Sequence, residues 1–234
     1  MTKPLKTIGV LGGMGPNASA DFVQRMLKCA QRDLNAVQDD EYPPIILQSI
    51  GLKGFSVEGV MDMDVVRTQL LEGVTKLQQS GADFIVIPCN TVHCFYSDMV
   101  DAVQIPILNI AELTAKVVAT DGLQEVGLCG SVTTMQTGIY HYACRKNGVK
   151  VIFPSHVDQS SVNTVIDRVM SGQEGEYERV LLKMVVLKLA KRGAEGVILG
   201  CTELPLAINQ QWTDVLLYDS LQILAEAAVR KSAE

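Results

Sequence analysis

Runs of aliphatic residues recur along the 234-residue chain, separated by longer stretches in which apolar positions return every three or four residues. The runs predict strands near residues 6–12, 44–50, 83–88, 105–109, 125–130, 149–153, 195–200 and 214–218. The periodic stretches predict helices over 17–33, 65–80, 133–147, 159–171, 176–192 and 219–231. Strands that alternate with helices form parallel sheets covered on both faces, joined by right-handed crossovers. The expected fold class is α/β.

The pattern is duplicated. Gly81-Ala82-Asp83 leads through Phe84-Ile85-Val86-Ile87-Pro88 to Cys89, and Gly193-Ala194-Glu195 leads through Gly196-Val197-Ile198-Leu199-Gly200 to Cys201. In both, the cysteine stands eight residues after the first glycine, past the end of a buried strand and before a polar residue that can open a helix. Open α/β sheets keep their ligand sites at such strand ends. Upstream, Ile8-Gly9-Val10-Leu11-Gly12-Gly13 is echoed by Val126-Gly127-Leu128-Cys129-Gly130-Ser131. The halves are of similar size, and the strand and helix from Val215 to Arg230 have no evident counterpart within the second. The expected division is therefore a first unit of residues 1–108 plus 210–234, carrying Cys89, and a second of 109–209, carrying Cys201.

Composition narrows the partners. With 47% hydrophobic and 20% charged residues the chain can bury a sizeable core. A net charge of -6 and the lack of a Lys/Arg cluster exclude nucleic acid as a partner, and any cation that holds an anionic ligand must be local. No apolar run reaches the length of a membrane span, and residues 1–6 lead straight into a strand without a signal-peptide core. The expected location is the cytoplasm, where the six cysteines are reduced. None forms a C-x-x-C pair, which disfavours a structural metal site.

Cysteine is by default a small core residue, and Cys29, Cys94, Cys129 and Cys144 read that way. Cys89 and Cys201 do not, because their whole context is repeated beside polar residues. At neutral pH a free thiol is only roughly 3% ionised, so a thiol that moves protons needs its pKa lowered; helix N-termini and free N–H groups are the expected means. Asn90, Thr91 and Thr202 can donate hydrogen bonds to a thiolate or a carboxylate, and Glu203 can carry protons. His93 reads equally as a proton carrier or as a satisfied histidine on a helix face. The turn Gly12-Gly13-Met14-Gly15-Pro16 lacks the Lys-Ser/Thr of a phosphate loop and the spacing of a dinucleotide turn, but opens a helix and offers N–H groups to an anion. Ser131 and Thr134 lie at the equivalent turn of the second half. Two facing thiols suggest two-base chemistry on a small molecule; a non-catalytic carboxylate-binding or redox protein is the rival from another class.

Together, Ile8-Gly9-Val10-Leu11-Gly12-Gly13-Met14-Gly15-Pro16, Pro88-Cys89-Asn90-Thr91-Val92-His93 and Gly200-Cys201-Thr202-Glu203-Leu204 resemble the cofactor-independent aspartate/glutamate racemase family, closest to its aspartate racemase branch. The resemblance runs nearly end to end. It implies two pseudo-symmetric three-layer α/β domains with parallel sheets, a site in the cleft between them, and a homodimer. In that family one thiolate removes the α-proton and the other thiol returns one to the opposite face, and by that resemblance Cys201 would act on the L-enantiomer and Cys89 on the D-enantiomer. Met14, Asn90, Thr91, Ser131, Thr134 and Thr202 match positions that would hold the substrate, Glu203 is a further candidate for binding it, and the resemblance implies no pyridoxal phosphate, metal or nucleotide. The Gly-Gly-Met-Gly-Pro turn favours aspartate, with glutamate as second candidate. For the distal carboxylate the expected partners are Gln48, where some aspartate-specific members place an arginine, and Arg168. A maleate-type cis-trans isomerase that uses one cysteine is the alternative within the superfamily.

Overall fold

The computed structural model describes residues 4–56 and 59–234. Its first half runs β1 (Ile8–Gly12), α1 (Pro16–Asp33), β2 (Ile45–Ser49), β3 (Phe55–Ser56), β4 (Gly59–Val60), α2 (Met63–Gln79), β5 (Phe84–Val86), α3 (Tyr96–Asp101) and α4 (Ile110–Thr120). The second runs β6 (Glu125–Gly130), α5 (Val132–Gln136), α6 (Ile139–Lys146), β7 (Lys150–Ile152), α7 (His156–Met170), α8 (Glu176–Lys191), β8 (Gly196–Gly200), α9 (Leu204–Ala207), β9 (Leu216–Asp219) and α10 (Ser220–Ser232). Two parallel sheets result, ordered β2-β1-β5 and β7-β6-β8-β9.

Each sheet is the middle of three layers. Alternate residues of the strands face opposite ways, so Val10, Phe84 and Val86 meet Phe22 and Met26 of α1, while Leu11 and Ile85 meet Leu70 and Val74 of α2. In the second sheet Val197 and Leu199 meet α7 and α8, whereas Leu128 and Ile198 meet Tyr140 and Ala143 of α6.

The duplication holds at the level of single hydrogen bonds. Asp83 donates its N–H to the Thr7 carbonyl and accepts the Thr7 N–H on its carboxylate at 2.6 Å; Glu195 does the same to Glu125, at 2.9 Å on the carboxylate. Gly81 and Gly193, which precede these acids, have φ of +94° and +101°, a conformation that costs glycine little.

Three expectations are corrected. The strand expected at 105–109 is reduced to one parallel bridge, Ile85 to Ile107, at the edge of the first sheet. The helix expected over 133–147 breaks at Gly138 into α5 and α6. The strand expected to complete the first unit pairs with β8 instead, with Gly196 opposite Leu216 and Leu199 opposite Asp219. An unpaired β8 edge would expose a row of backbone groups, and β9 covers it.

Residues 105–120 are thus the counterpart of β9 and α10. Asn109 caps α4 by accepting from the N–H groups of Ala111 and Glu112, and Asp219 caps α10 in the same way from Leu221 and Gln222. After these caps the helices exchange sides. Ala115 and Val118 of α4 pack into the core of the second half, while Leu221, Leu224 and Ala228 of α10 pack against α1 in the first, and α4 and α10 touch each other.

His93 ties the Cys89 loop to this crossing. Its Nδ1 donates to the Cys89 carbonyl at 2.7 Å, and its Nε2 accepts the Ile110 N–H, the first of α4, at 3.3 Å. Both ring nitrogens are used in the neutral form, and burial pushes the pKa down to about 4. Of the two readings, the satisfied histidine is the one observed.

Two outcomes follow. Leu224→Ala removes a fully buried side chain from the exchanged helix and is expected to lower stability by about 2–5 kcal/mol in urea unfolding. The unfolded chain takes up a proton on His93 near pH 6.5, the folded chain only near pH 4, so stability present above pH 6.5 falls as pH drops towards 4, by about 3 kcal/mol. Urea titrations between pH 4 and 7 measure this, and His93→Gln is expected to flatten the acid limb.

Candidate functional site

Both thiols line one cavity where the ends of the two sheets meet. Cys89 follows β5 and opens a 3-10 turn over Thr91–Phe95; Cys201 follows β8 directly. The N–H groups of Thr91 and Val92 point at Cys89 Sγ, and that of Glu203 points at Cys201 Sγ, so each sulfur lies under the N–H groups two or three residues on. All six cysteines are unpaired, and Cys29, Cys129 and Cys144 sit in the apolar cores, with Cys94 packed against one of them.

The expectation that the helix ends lower the thiol pKa values is reversed. Burial dominates: it pushes Cys89 up to about 12 and Cys201 well above the ordinary thiol range, against the smaller effect of the N–H groups. Glu203 adds to both shifts, and the two cysteines raise Cys201 further through their mutual repulsion. Cys201 Sγ donates to Glu203 Oε2 at 3.0 Å, and Thr202 Oγ1 donates to the same oxygen at 3.1 Å. Without substrate, both sulfurs are thiols at neutral pH.

Polar groups from the two halves meet beside the sulfurs. Thr91 Oγ1 lies 2.9 Å from Ser131 Oγ and 3.4 Å from Thr134 Oγ1, and the latter two are 3.0 Å apart. Thr91 and Ser131 line the cavity; Thr134, fully buried, stands behind them and also donates its N–H to Ser131. Asn90 Oδ1 accepts from Tyr140 Oη at 2.5 Å, and its Nδ2 donates to Ser220 Oγ at 3.2 Å, which joins the Cys89 loop to the first residue of α10.

The remaining wall is mostly apolar, with Ser56 as its polar residue. Met14, Phe55, Ile166 and Met170 line it, with Gly15 and Gly59 between. Gly59 is confined by α5, because a Cβ there would come within 1.8 Å of Thr133 Oγ1. The cavity is about 20 Å³, room for about one water, so an amino acid enters only when the cleft widens.

Of the expected positions, Met14, Asn90, Thr91, Ser131, Thr202 and Glu203 line the cavity with the two cysteines. Gln48 and Arg168 do not. Gln48 sits on β2 opposite Leu11, beside the strand that feeds the site. Arg168 lies about 200° around α7 from both Ile166 and Met170, at about 100° per residue, and therefore faces away. There it pairs with Glu178 through Nε and covers the Tyr177 ring at 5.2 Å. The β3–β4 hairpin and the Ile166/Met170 face were missed. The first is too short for a periodic signal, and the i, i+4 apolar spacing of the second reads in the sequence as an ordinary core-facing stripe. Among the described residues, no group of three or more His, Cys, Asp or Glu converges to hold a metal, and no helix is long and apolar enough to cross a membrane.

Residues 11–228 match the model of the Asp/Glu/hydantoin racemase family. The broad specificity amino-acid racemase RacX of Bacillus subtilis is 29% identical over 222 residues, covering 95% of this chain and 96% of its own. Among solved structures, one titled a putative Asp/Glu racemase from Yersinia pestis superposes with a TM-score of 0.85 at 29% identity, over 98% of this chain and 100% of that one. An aspartate racemase homologue from Pyrococcus horikoshii OT3 gives 0.83 at 26% identity, again over 98% and 100%. With sheets, helices and thiol-bearing strand ends in this arrangement, the chain belongs to the Asp/Glu/hydantoin racemase family and is an amino-acid racemase of that family.

Proposed function

We propose that the chain racemises a free amino acid by two-base proton transfer between Cys89 and Cys201, without a cofactor. One observation carries the reading: two thiols from equivalent strand ends of the two halves line a single cavity. A carbanion at Cα is planar, so inversion needs one proton carrier on each face. By resemblance to the family, Cys201 serves the L-enantiomer and Cys89 the D-enantiomer. Its cytoplasmic location and homodimeric state remain part of this proposal.

Glu203 gives Cys201 a route to the thiolate. The 3.0 Å contact gives the thiol proton an acceptor at hand as the α-proton is approached, although the raised thiol pKa still sets an uphill cost for forming the thiolate. Thr91 and Ser131, held by Thr134, are placed to donate to the α-carboxylate, and Asn90 retains one amide hydrogen after its bond to Ser220. A mechanism with a single cysteine would leave the second thiol and its carboxylate contact without a role. The finer expectation of aspartate as substrate lacks its support here, since neither Gln48 nor Arg168 lines the cavity.

Cys89→Ala and Cys201→Ala are each expected to lower racemisation by about 10³-fold or more. Cys89→Ala is expected to keep α-proton exchange with D₂O for the L-enantiomer only, and Cys201→Ala for the D-enantiomer only, followed by proton NMR. Full racemisation by either variant refutes the two-base reading. Glu203→Gln is expected to lower kcat/KM by about 10²–10⁴-fold. The loss must be equal in both directions, because the equilibrium constant is one. The acid limb of its pH–rate profile moves to higher pH, which a purely structural role would not produce.

A further inference from the structure

Once the site is read as a racemase site, its wall specifies a substrate. We infer that the cavity takes non-acidic amino acids, whose side chains lay an aliphatic stem against Met14, Phe55, Ile166 and Met170, and that it disfavours aspartate and glutamate. This rests on the racemase reading given above.

The charge balance is the first ground. Among the described residues that line the cavity there is no Lys, Arg or His, and the charged one is an acid, Glu203. A side-chain carboxylate would enter beside Glu203 with no counter-ion, and an unpaired buried charge is strongly disfavoured. The α-carboxylate is different, since the hydroxyls of Thr91 and Ser131 and the amide of Asn90 face it. Arg168 cannot move in to help without leaving Glu178, which is buried and has its pKa lowered mainly by that hydrogen bond.

The shape of the wall is the second ground. A further cavity of about 30 Å³, bordered by Pro16, Asn17, Val169 and Leu206, shares Gly15, Met170 and Glu203 with the first. Met170 forms the partition and is 36% exposed. A methionine has three flexible bonds and adapts to what it meets, so its movement joins the two spaces and lengthens the room for a side chain. Val169 and Leu206 give that extension an apolar side, its polar side chains are the neutral amide of Asn17 and the carboxylate of Glu203, and among the described residues no cation lines it.

The test uses the purified full chain without added cofactor. Loss of the α-proton in D₂O and chiral product formation are followed for both enantiomers of methionine, leucine, alanine, lysine, aspartate and glutamate. The expected result is kcat/KM for methionine or leucine higher than for aspartate and glutamate by about a hundredfold or more. Aspartate or glutamate turned over as fast as the best non-acidic substrate overturns this inference and leaves the racemase reading standing. Exchange with none of the panel overturns both. As a second arm, Met170→Lys places a cation at the partly exposed partition. It is expected to raise the aspartate-to-methionine ratio of kcat/KM by about tenfold or more; an unchanged ratio contradicts the assignment of the wall.

Discussion

Helix α4 leaves the first half and packs on the second, helix α10 leaves the second and packs on the first, and the contact between them holds the two sheet ends face to face. The rest of the site hangs on this exchange. The Cys89 loop is tied to the starts of both crossing helices and to the opposite half: His93 to Ile110, Asn90 to Ser220, Thr91 to Ser131. Ser220 in turn donates to the Leu199 carbonyl at 2.8 Å, within the strand that ends at Cys201. The cavity is therefore a property of the junction, and neither half forms it alone.

Burial at that junction acts in two directions. It removes water from the sulfurs and raises their pKa values, which keeps them as thiols, and it strengthens every hydrogen bond that a bound substrate makes. The carboxylate of Glu203, placed against Cys201, supplies the local acceptor that the N–H groups alone do not. The same dry surroundings make the sign of each lining charge decisive for which substrate enters. Apolar side chains from α7 and β3 stand where a dicarboxylic substrate would need a cation.

Much of the architecture was legible in the sequence because it rests on short-range patterns. Aliphatic runs ending in a cysteine mark buried parallel strands, and the repeated Gly-Ala-acid motif marks the same hydrogen-bonded strand start in both halves. What was not legible depended on partners distant in the chain. Nothing in residues 214–218 says whether they pair with β8 or return to the first sheet, since the choice is made by an edge that exists only after folding. Arg168 carries the right charge for a distal carboxylate, yet helical geometry turns it towards Glu178 and gives the cavity to Ile166 and Met170. The direction of the thiol pKa shifts has a similar origin: helix ends can be seen in a sequence, but the extent of burial, which outweighs them, cannot.

The most direct test of the central claim is the isotope pattern of the first turnovers in D₂O, beginning from one fully protiated enantiomer of the best substrate. Two thiols on opposite faces predict that the product enantiomer carries deuterium from its first appearance while the remaining substrate stays protiated. Product that retains the original proton, or deuterium that enters substrate and product equally from the start, would contradict two-base transfer between Cys89 and Cys201.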